Sequence, residues 1–476
     1  MCNLNLKFLM YYMANLFYRM LFSIVCFLCF ACEISAVVPN AKTVVTAQKI
    51  VKTEYGDVSV GILIPDRGMA DPHVWIEDGT LYMMCGHDKS WEPVNTWIMD
   101  RWELWSTKNL TEWTYEYTIE PTDTYIGDNP NCWAGDLAER NGKYYWFFSN
   151  RNISTGVMEA DRITGPYKDV LGKQLLPSGI IKGHPYDPEI FIENGVYTIC
   201  FGAGTYYMAT LADDMHSLVD TPKAIKVLKD GKHVSMGDKS TLFKRDGWYY
   251  LLSGGRYAMS KELYGPYDYK GSFGGGGHNS VFQWKGKWYM VHETGDTNIF
   301  YRGIGLQPLY FNEDGTIYLA KKRAVHPGNG RDYTFTASQM GWRALDGTSL
   351  RWSDKGFIEG RINGENAVIG SAVFLWCDVE KLDCISLELT NNTESNTMRI
   401  GVAIHDDVPL FWDKYSPDVK SDEFKYVTVP IKKGFQKITL PIDEFKGLKN
   451  RLMQVRIEPA SDALDGEWKL DNIIIR

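Results

Sequence analysis

Four polar residues stand at almost the same distance ahead of a turn glycine. Asp71 lies eight residues before Gly79, Asp187 eight before Gly195 and His278 eight before Gly286, while Asp238 lies nine before Gly247. A fifth, Asp136, lies six before Gly142. A single aspartate ahead of a strand is ordinarily a turn or capping residue. A register shared by four separated segments means more, because equivalent positions of a repeat converge wherever the repeats share an axis. Three carboxylates and an imidazole brought together make a general acid–base site. Their mutual repulsion spreads the pKa values, so that one carboxyl stays ionised while another keeps its proton.

The elements that must carry these residues recur as well. Turn glycines followed closely by an aromatic appear at Gly79…Tyr82, Gly142…Tyr144, Gly195…Tyr197, Gly247-Trp248 and Gly286…Trp288, at spacings of 63, 53, 52 and 39 residues. Each is flanked by short β-branched and aromatic runs with no helical period of comparable length. A four-strand unit recurring at 40–50 residues is the pattern of a propeller blade, so the expectation is an all-β chain opening with a five-bladed β-propeller. A parallel β-helix is the rival, but its repeats are shorter and more regular. In a propeller the first strand of each blade lines the central channel, which is what brings the four residues to one end of it.

Around the repeats, residues 43–64 read as a polar lead-in with one or two strands, including Val58 to Ile64. The turn-rich stretch Val325 to Gly330 reads as a linker. Beyond it, segments such as Cys384–Leu389, Met398–Ile404 and Phe435–Pro441 alternate apolar and polar residues, the pattern of half-buried antiparallel strands. The expected division is therefore a leader over 1–36, a propeller over 37–330 and a jelly-roll-like β-sandwich over 335–476.

Composition narrows the partners. The net charge is −8 and no Lys/Arg cluster is large enough to follow a phosphate backbone, which argues against nucleic acid. Aromatics make up 14% of the chain, and 11 of the 16 Trp lie between Trp75 and Trp288. That density serves either sheet packing or the stacking of sugar rings. Trp75 reads as core, whereas Trp91 and Trp133 are candidate sugar platforms. Lys7 and Arg19 precede the apolar run Met20 to Ala31, and Ile34-Ser35-Ala36 offers a cleavage site, so the chain reads as exported to the periplasm or outside. Cys32 gives a competing reading as a lipid-anchored residue. No later segment is long and apolar enough to span a membrane. The five cysteines beyond the leader are scattered without metal or disulfide spacing. A monomer is expected.

Ala70-Asp71-Pro72, Trp133-Ala134-Gly135-Asp136, Asp187-Pro188 and Gly277-His278-Asn279-Ser280 resemble the blade motifs of glycoside hydrolase family 43, over roughly residues 65–325. Tyr301-Arg302 and the stretch Tyr310 to Ile317 resemble them too. The resemblance implies a five-bladed enzyme acting on arabinan- or xylan-type oligo- or polysaccharide with inversion. Asp71 would then be the general base and Asp187 the carboxylate that raises the acid's pKa. His278 would be the channel histidine that helps hold a calcium or sodium ion, with no organic cofactor. Candidate substrate contacts are His278, Arg302, Trp133, Asp136 and Trp91. The C-terminal sandwich resembles a carbohydrate-binding module, and a purely buttressing role fits it equally.

One position departs from the pattern. The family's general acid is a Glu opening the fourth blade, and here Asp238 stands in its place, one methylene shorter. A misplacement of about 1 Å can cost on the order of a hundredfold in rate. Lys239, next in the chain, would depress a neighbouring carboxyl pKa. Three readings stay open: Asp238 is the acid on a backbone moved inward, Glu293 or His278 takes the role, or the chain only binds glycans. Glu189 shares Asp187's strand face and is expected to contact backbone or solvent beyond the site.

Overall fold

Each repeat is built on the same two-residue hairpin. Asp78-Gly79, Asn141-Gly142, Asn194-Gly195, Asp246-Gly247 and Lys285-Gly286 all hold positive φ at both residues. That is the requirement of a type I′ turn, whose twist matches the strands it joins, and Asp, Asn and Gly meet it at least cost. The flanking pairs are correspondingly tight: Glu77 with Thr80, Arg140 with Lys143, Glu193 with Val196, Arg245 with Trp248 and Trp284 with Lys287.

The computed structural model describes residues 44–46, 49–53, 56–60, 62–89, 96–274, 277–318, 330–336, 338–407 and 423–476. The leader with Cys32, Trp91 and most of the 325–330 linker lie outside the described residues. Within them the regular elements are strands and short 3-10 turns, with no α-helix.

Five sheets follow one another along the chain. Blade I is Met69–Glu77, Thr80–Asp88, Met99–Thr107 and Glu112–Ile119. Blade II is Cys132–Arg140, Lys143–Asn150 and Ser154–Ala160. Blade III is Glu189–Glu193, Val196–Phe201, Tyr207–Thr210 and Lys223–Ala224. Blade IV is Thr241–Arg245, Trp248–Ser253, Arg256–Ser260 and Tyr267–Ser272, extended by Val227–Lys229 and Lys232–His233. Blade V is Asn279–Trp284, Lys287–Asn298 and Tyr301–Pro308.

The first strands of blades I to V lie against one another in sequence, and that of blade V returns to that of blade I. The ring is a closed five-bladed propeller. Leu63 N donates to Ile304 O at 2.8 Å, so the segment entering blade I runs along blade V and helps seal the closure. The lead-in holds three short strands, Val44–Thr46, Lys49–Thr53 and Gly56–Val60, one more than expected.

The aromatic density is spent between blades. Trp105 and Trp113 pack with Phe282 and Tyr289 between blades I and V, and Trp102 with Trp146 and Phe148 between blades I and II. Phe191 packs with Tyr249 between blades III and IV. Burying such rings removes much apolar surface from water, at roughly 25 cal/mol per Å².

Beyond the propeller two antiparallel sheets face each other as a sandwich. One contains Phe357–Ile362, Gly466–Ile475, Cys384–Asn392 and Gly434–Pro441; the other contains Val368–Gly370, Arg451–Glu458, Thr397–Ile404 and Lys425–Pro430. Cys384–Asn392 alternates half-buried and buried along its length, as its sequence pattern requires. The sandwich meets blade V at one turn. Asn298 Nδ2 donates to Val373 O at 2.9 Å, Ile299 N to Phe374 O at 3.2 Å, and Phe300 stands edge-on to Phe374 at 5.3 Å.

Candidate active site

The same backbone device delivers Asp71 and Asp187. Both are followed by proline and hold left-handed φ, +52° and +56°, a region that aspartate enters more readily than most residues. In blade I the pairing skips from Ala70 to His73, a bulge that swings the Asp71 carboxylate into the channel. Blade IV repeats the device one residue later: the left-handed position, eight before Gly247, belongs to Lys239 with φ +35°. Asp238 is the residue ahead of it. A neighbouring blade anchors each of the three backbones. Asp71 N donates to Glu293 Oε1 (3.0 Å), Asp187 N to Ser149 Oγ (2.8 Å) and Lys239 N to Asp187 Oδ2 (3.0 Å).

The four expected residues meet at one end of the channel. His278 lies at the centre, with Nδ1 hydrogen-bonded to Asp71 Oδ1 and Nε2 3.4 Å from Asp238 Oδ1. Ligating atoms of Asp187, Asp238 and His278 all lie within 4.8 Å of one another. Asp71 and Asp187 are buried, whereas the Asp238 side chain is 54% exposed and faces the opening. Among the described residues, none hydrogen-bonds to the buried Asp187 Oδ1. Beneath Asp71, Arg302 grips Asp88 through Nε and Nη2 (both 2.9 Å) and its own backbone N (2.8 Å). Its Nη1 lies 2.8 Å from Glu293 Oε1 and 3.7 Å from Asp71 Oδ1. Glu293 Oε2 accepts the backbone N–H of His278 at 3.1 Å.

These contacts separate the carboxyls electrostatically. Burial alone would raise the Asp71 pKa, but the His278 and Arg302 cations outweigh it and hold Asp71 below the ordinary carboxylate range. Burial pushes Asp187 up to about 7 against the pull of His278, helped by the charges of Asp71 and Asp238. Asp238 is lowered, chiefly by its hydrogen bond with His278. His278 is raised well above the usual histidine value, because Glu293, Asp71 and Asp238 overcome its burial. One carboxylate is thus held ionised, another near neutrality, and a third at the mouth shares a proton with an imidazolium.

The remaining candidates divide. Arg302 is in the cluster but is committed to Asp88 and Glu293. Trp133 is half-buried at blade II, with the Arg151 guanidinium 5.5 Å from its ring centre and Tyr186 beside it. Asp136 is not in the mouth of the site. It is fully buried, accepting the backbone N–H of Ile190 and of Leu137 and pairing with His73, so substrate does not reach it. Its six-residue spacing, two short of the others, reflects this deeper level. Glu189 contacts backbone, one of the two alternatives expected, and not solvent: Oε1 accepts Leu242 N at 3.0 Å, while Oε2 pairs with Lys239 at 2.7 Å. The depression of Asp238 comes from His278 and not from Lys239, whose ammonium turns away toward Glu189. Sequence reasoning missed Asp88, whose partner Arg302 is 214 residues away, and His73, which period two from Asp71 would have placed on the same face.

The family model for glycosyl hydrolases family 43 matches residues 64–317, more than half of the chain and the whole ring of blades. The chain belongs to glycoside hydrolase family 43. It is a glycosidase, and relatives with curated names agree. A xylosidase/arabinosidase from Bacteroides ovatus is 25% identical over 320 residues, covering 54% of this chain and 95% of that protein. An arabinoxylan arabinofuranohydrolase from Paenibacillus polymyxa is 24% identical, covering 52% of this chain and 49% of that one. Among solved structures, a family 43 β-xylosidase/α-arabinofuranosidase from a compost metagenome, in complex with xylotriose and in calcium-free form, superposes with a TM-score of 0.50. At 23% identity, covering 57% of this chain and 98% of that one, it speaks for the fold.

A family 43 ion at His278 can be tested on the donor sets. Among the described residues three groups could hold one. Asp71, His278 and Glu293 already enclose Arg302 Nη1. In the group of His73, Asp136 and Glu189, Glu189 is already paired with Lys239 Nζ and Asp136 with His73. Asp187, Asp238 and His278 depend on a ring whose two nitrogens each face a carboxylate, Asp71 on Nδ1 and Asp238 on Nε2, so neither nitrogen presents a lone pair to a metal. The residues do not fit a resident ion at His278, and no step below is routed through one.

Proposed function

We propose that this family 43 glycosidase removes a terminal or side-chain pentose from a plant or algal polysaccharide with inversion, using Asp71 as base and Asp238 as acid. The observation that carries the reading is the placement of these two carboxyls on opposite nitrogens of the His278 ring. Inversion needs about 6.5–9.5 Å between the acid and the base, so that water enters on one side of the sugar. An imidazole with a contact on each side is a spacer of that order.

Asp71, kept ionised, takes a proton from water as the water oxygen attacks the anomeric carbon. The glycosidic C–O bond breaks, and Asp238 gives its proton to the leaving oxygen. In the open pocket His278 holds Asp238 ionised. A bound sugar removes solvent from Asp238, and the charge of Asp71 then favours the protonated form. Asp187 adds to that bias from within 4.8 Å. The similar proteins bear the names of xylosidases and arabinofuranohydrolases, which supports pentose as the sugar. The reading takes residues 37–330 as the catalytic region, 335–476 as a sandwich that braces it, and 1–36 as a leader removed on export.

The test uses aryl arabinofuranosides and xylosides of graded leaving-group pKa, with NMR of the first-formed anomer. Asp238→Asn should keep most of its rate on the best leaving groups and lose it on the poorest. Asp71→Asn should be inactive on all. A first-formed product with retained anomeric configuration would sink the assignment.

A further inference from the structure

Below the catalytic ring lies a second layer of charged side chains that the reaction does not use. His73 stands two residues after Asp71 and Glu189 two after Asp187, so period two turns both into the channel one level deeper. Asp136 joins them from blade II, and all three are buried. Into this layer from blade IV comes Lys239, whose side chain is 1% exposed. Its ammonium lies 2.7 Å from Glu189 Oε2, 3.1 Å from Pro188 O and 3.1 Å from Ser240 O. Three acceptors match the three protons an ammonium has to offer.

The backbone of the same residue reaches the upper ring. Lys239 N holds Asp187 Oδ2 at 3.0 Å, and Asp238 precedes it directly. Its φ of +35° is one that lysine adopts only under strain and glycine adopts freely. A long charged side chain at such a position, buried and fully hydrogen-bonded, points to a requirement for its charge. The compensating anions are Glu189 and Asp136, the latter also meeting His73.

We propose that Lys239 is the built-in cation of this channel: its ammonium, in place of a metal ion, neutralises the Asp136–Glu189 layer and so positions Asp187 and Asp238. The positioning half of the inference rests on the function proposed above; the cation half does not. Lys239 touches no reacting atom and is a positioning residue.

The first measurement is the melting temperature of the full chain with EDTA, with EGTA and with added calcium, which needs no turnover. An unchanged value is expected, and a loss on chelation that calcium restores would overturn the proposal even if the protein cleaved no glycoside offered to it. The second uses Lys239→Ala. Its kcat should fall on the order of a hundredfold through misplacement of Asp187 and Asp238, with KM little changed. Methylammonium or ethylammonium, filling the vacated space, should restore kcat and melting temperature where sodium at equal ionic strength does not. Restoration by calcium, or none by amines, counts against it. Should Lys239→Ala fail to fold, the Lys239→Met/Glu189→Gln pair removes both charges at nearly constant volume. That protein should fold and turn over slowly, and full kcat in it would overturn the positioning role.

Discussion

His278 donates from Nδ1 to Asp71 and stands 3.4 Å through Nε2 from Asp238, so one imidazolium is shared by the two carboxyls that must end in opposite protonation states. Burial would raise the pKa of Asp71, and His278 is the first of the cations that reverse it. A base acts only when ionised. Replacing His278 by Asn leaves Arg302 as the remaining cation against burial, so the Asp71 pKa rises and activity is lost as pH falls through the new value. The pH profile of kcat/KM on an aryl glycoside should therefore show its acidic limb displaced upward. The rate at neutral pH should fall roughly a hundredfold.

Asp187 couples the site to stability in the opposite sense. Its folded pKa of about 7 lies above the ordinary 3.8, so the folded state keeps a proton that the unfolded chain releases. This contribution is fully present below the unfolded value and is lost as pH rises through about 7. Moving the group from 3.8 to about 7 is worth roughly 4 kcal/mol in all. Denaturant midpoints of Asp187→Asn should decline less between pH 5 and pH 8 than those of the unmodified chain. An equal decline in both would remove Asp187 from the account.

The ring of blades was legible because its signals are local. Asp-Gly and Asn-Gly in a two-residue hairpin follow from the φ values a type I′ turn demands, and counting back from them finds Asp71, Asp187 and His278. What escaped was non-local or turned on one residue of register. Arg302 reads in the sequence as a substrate contact, and its partner Asp88 lies 214 residues away. Lys239 read as a neighbour that would disturb Asp238, although by register it holds the position of Asp71 and Asp187 and sends its charge downward. Gly277, just ahead of His278, has a reason of the same non-local kind: a side chain there would collide with the Glu293 carboxylate, which accepts the His278 N–H.

Asp136 offers a contrast between structure and binding. Its carboxylate accepts the N–H groups of Ile190 and Leu137 and pairs with His73, all away from solvent. In Asp136→Asn an amide can accept through only one atom, leaving a buried donor unmet at about 1–3 kcal/mol. The denaturation midpoint should drop accordingly while KM stays put. A raised KM with unchanged stability would return Asp136 to the substrate.

Phe374 tests what the sandwich does for the propeller. Its ring is fully buried against Phe300, and its carbonyl accepts Ile299 N, both in the turn that leads to Arg302. Truncating a buried Phe costs about 3–5 kcal/mol. Arg302, however, has four hydrogen bonds of its own to Asp88 and Glu293, which should hold its place when the turn loosens. Phe374→Ala should thus lower the urea midpoint markedly and leave kcat and KM near those of the unmodified chain well below the unfolding temperature. If KM rises at such temperatures instead, the sandwich shapes the substrate site directly and bracing is not its only contribution.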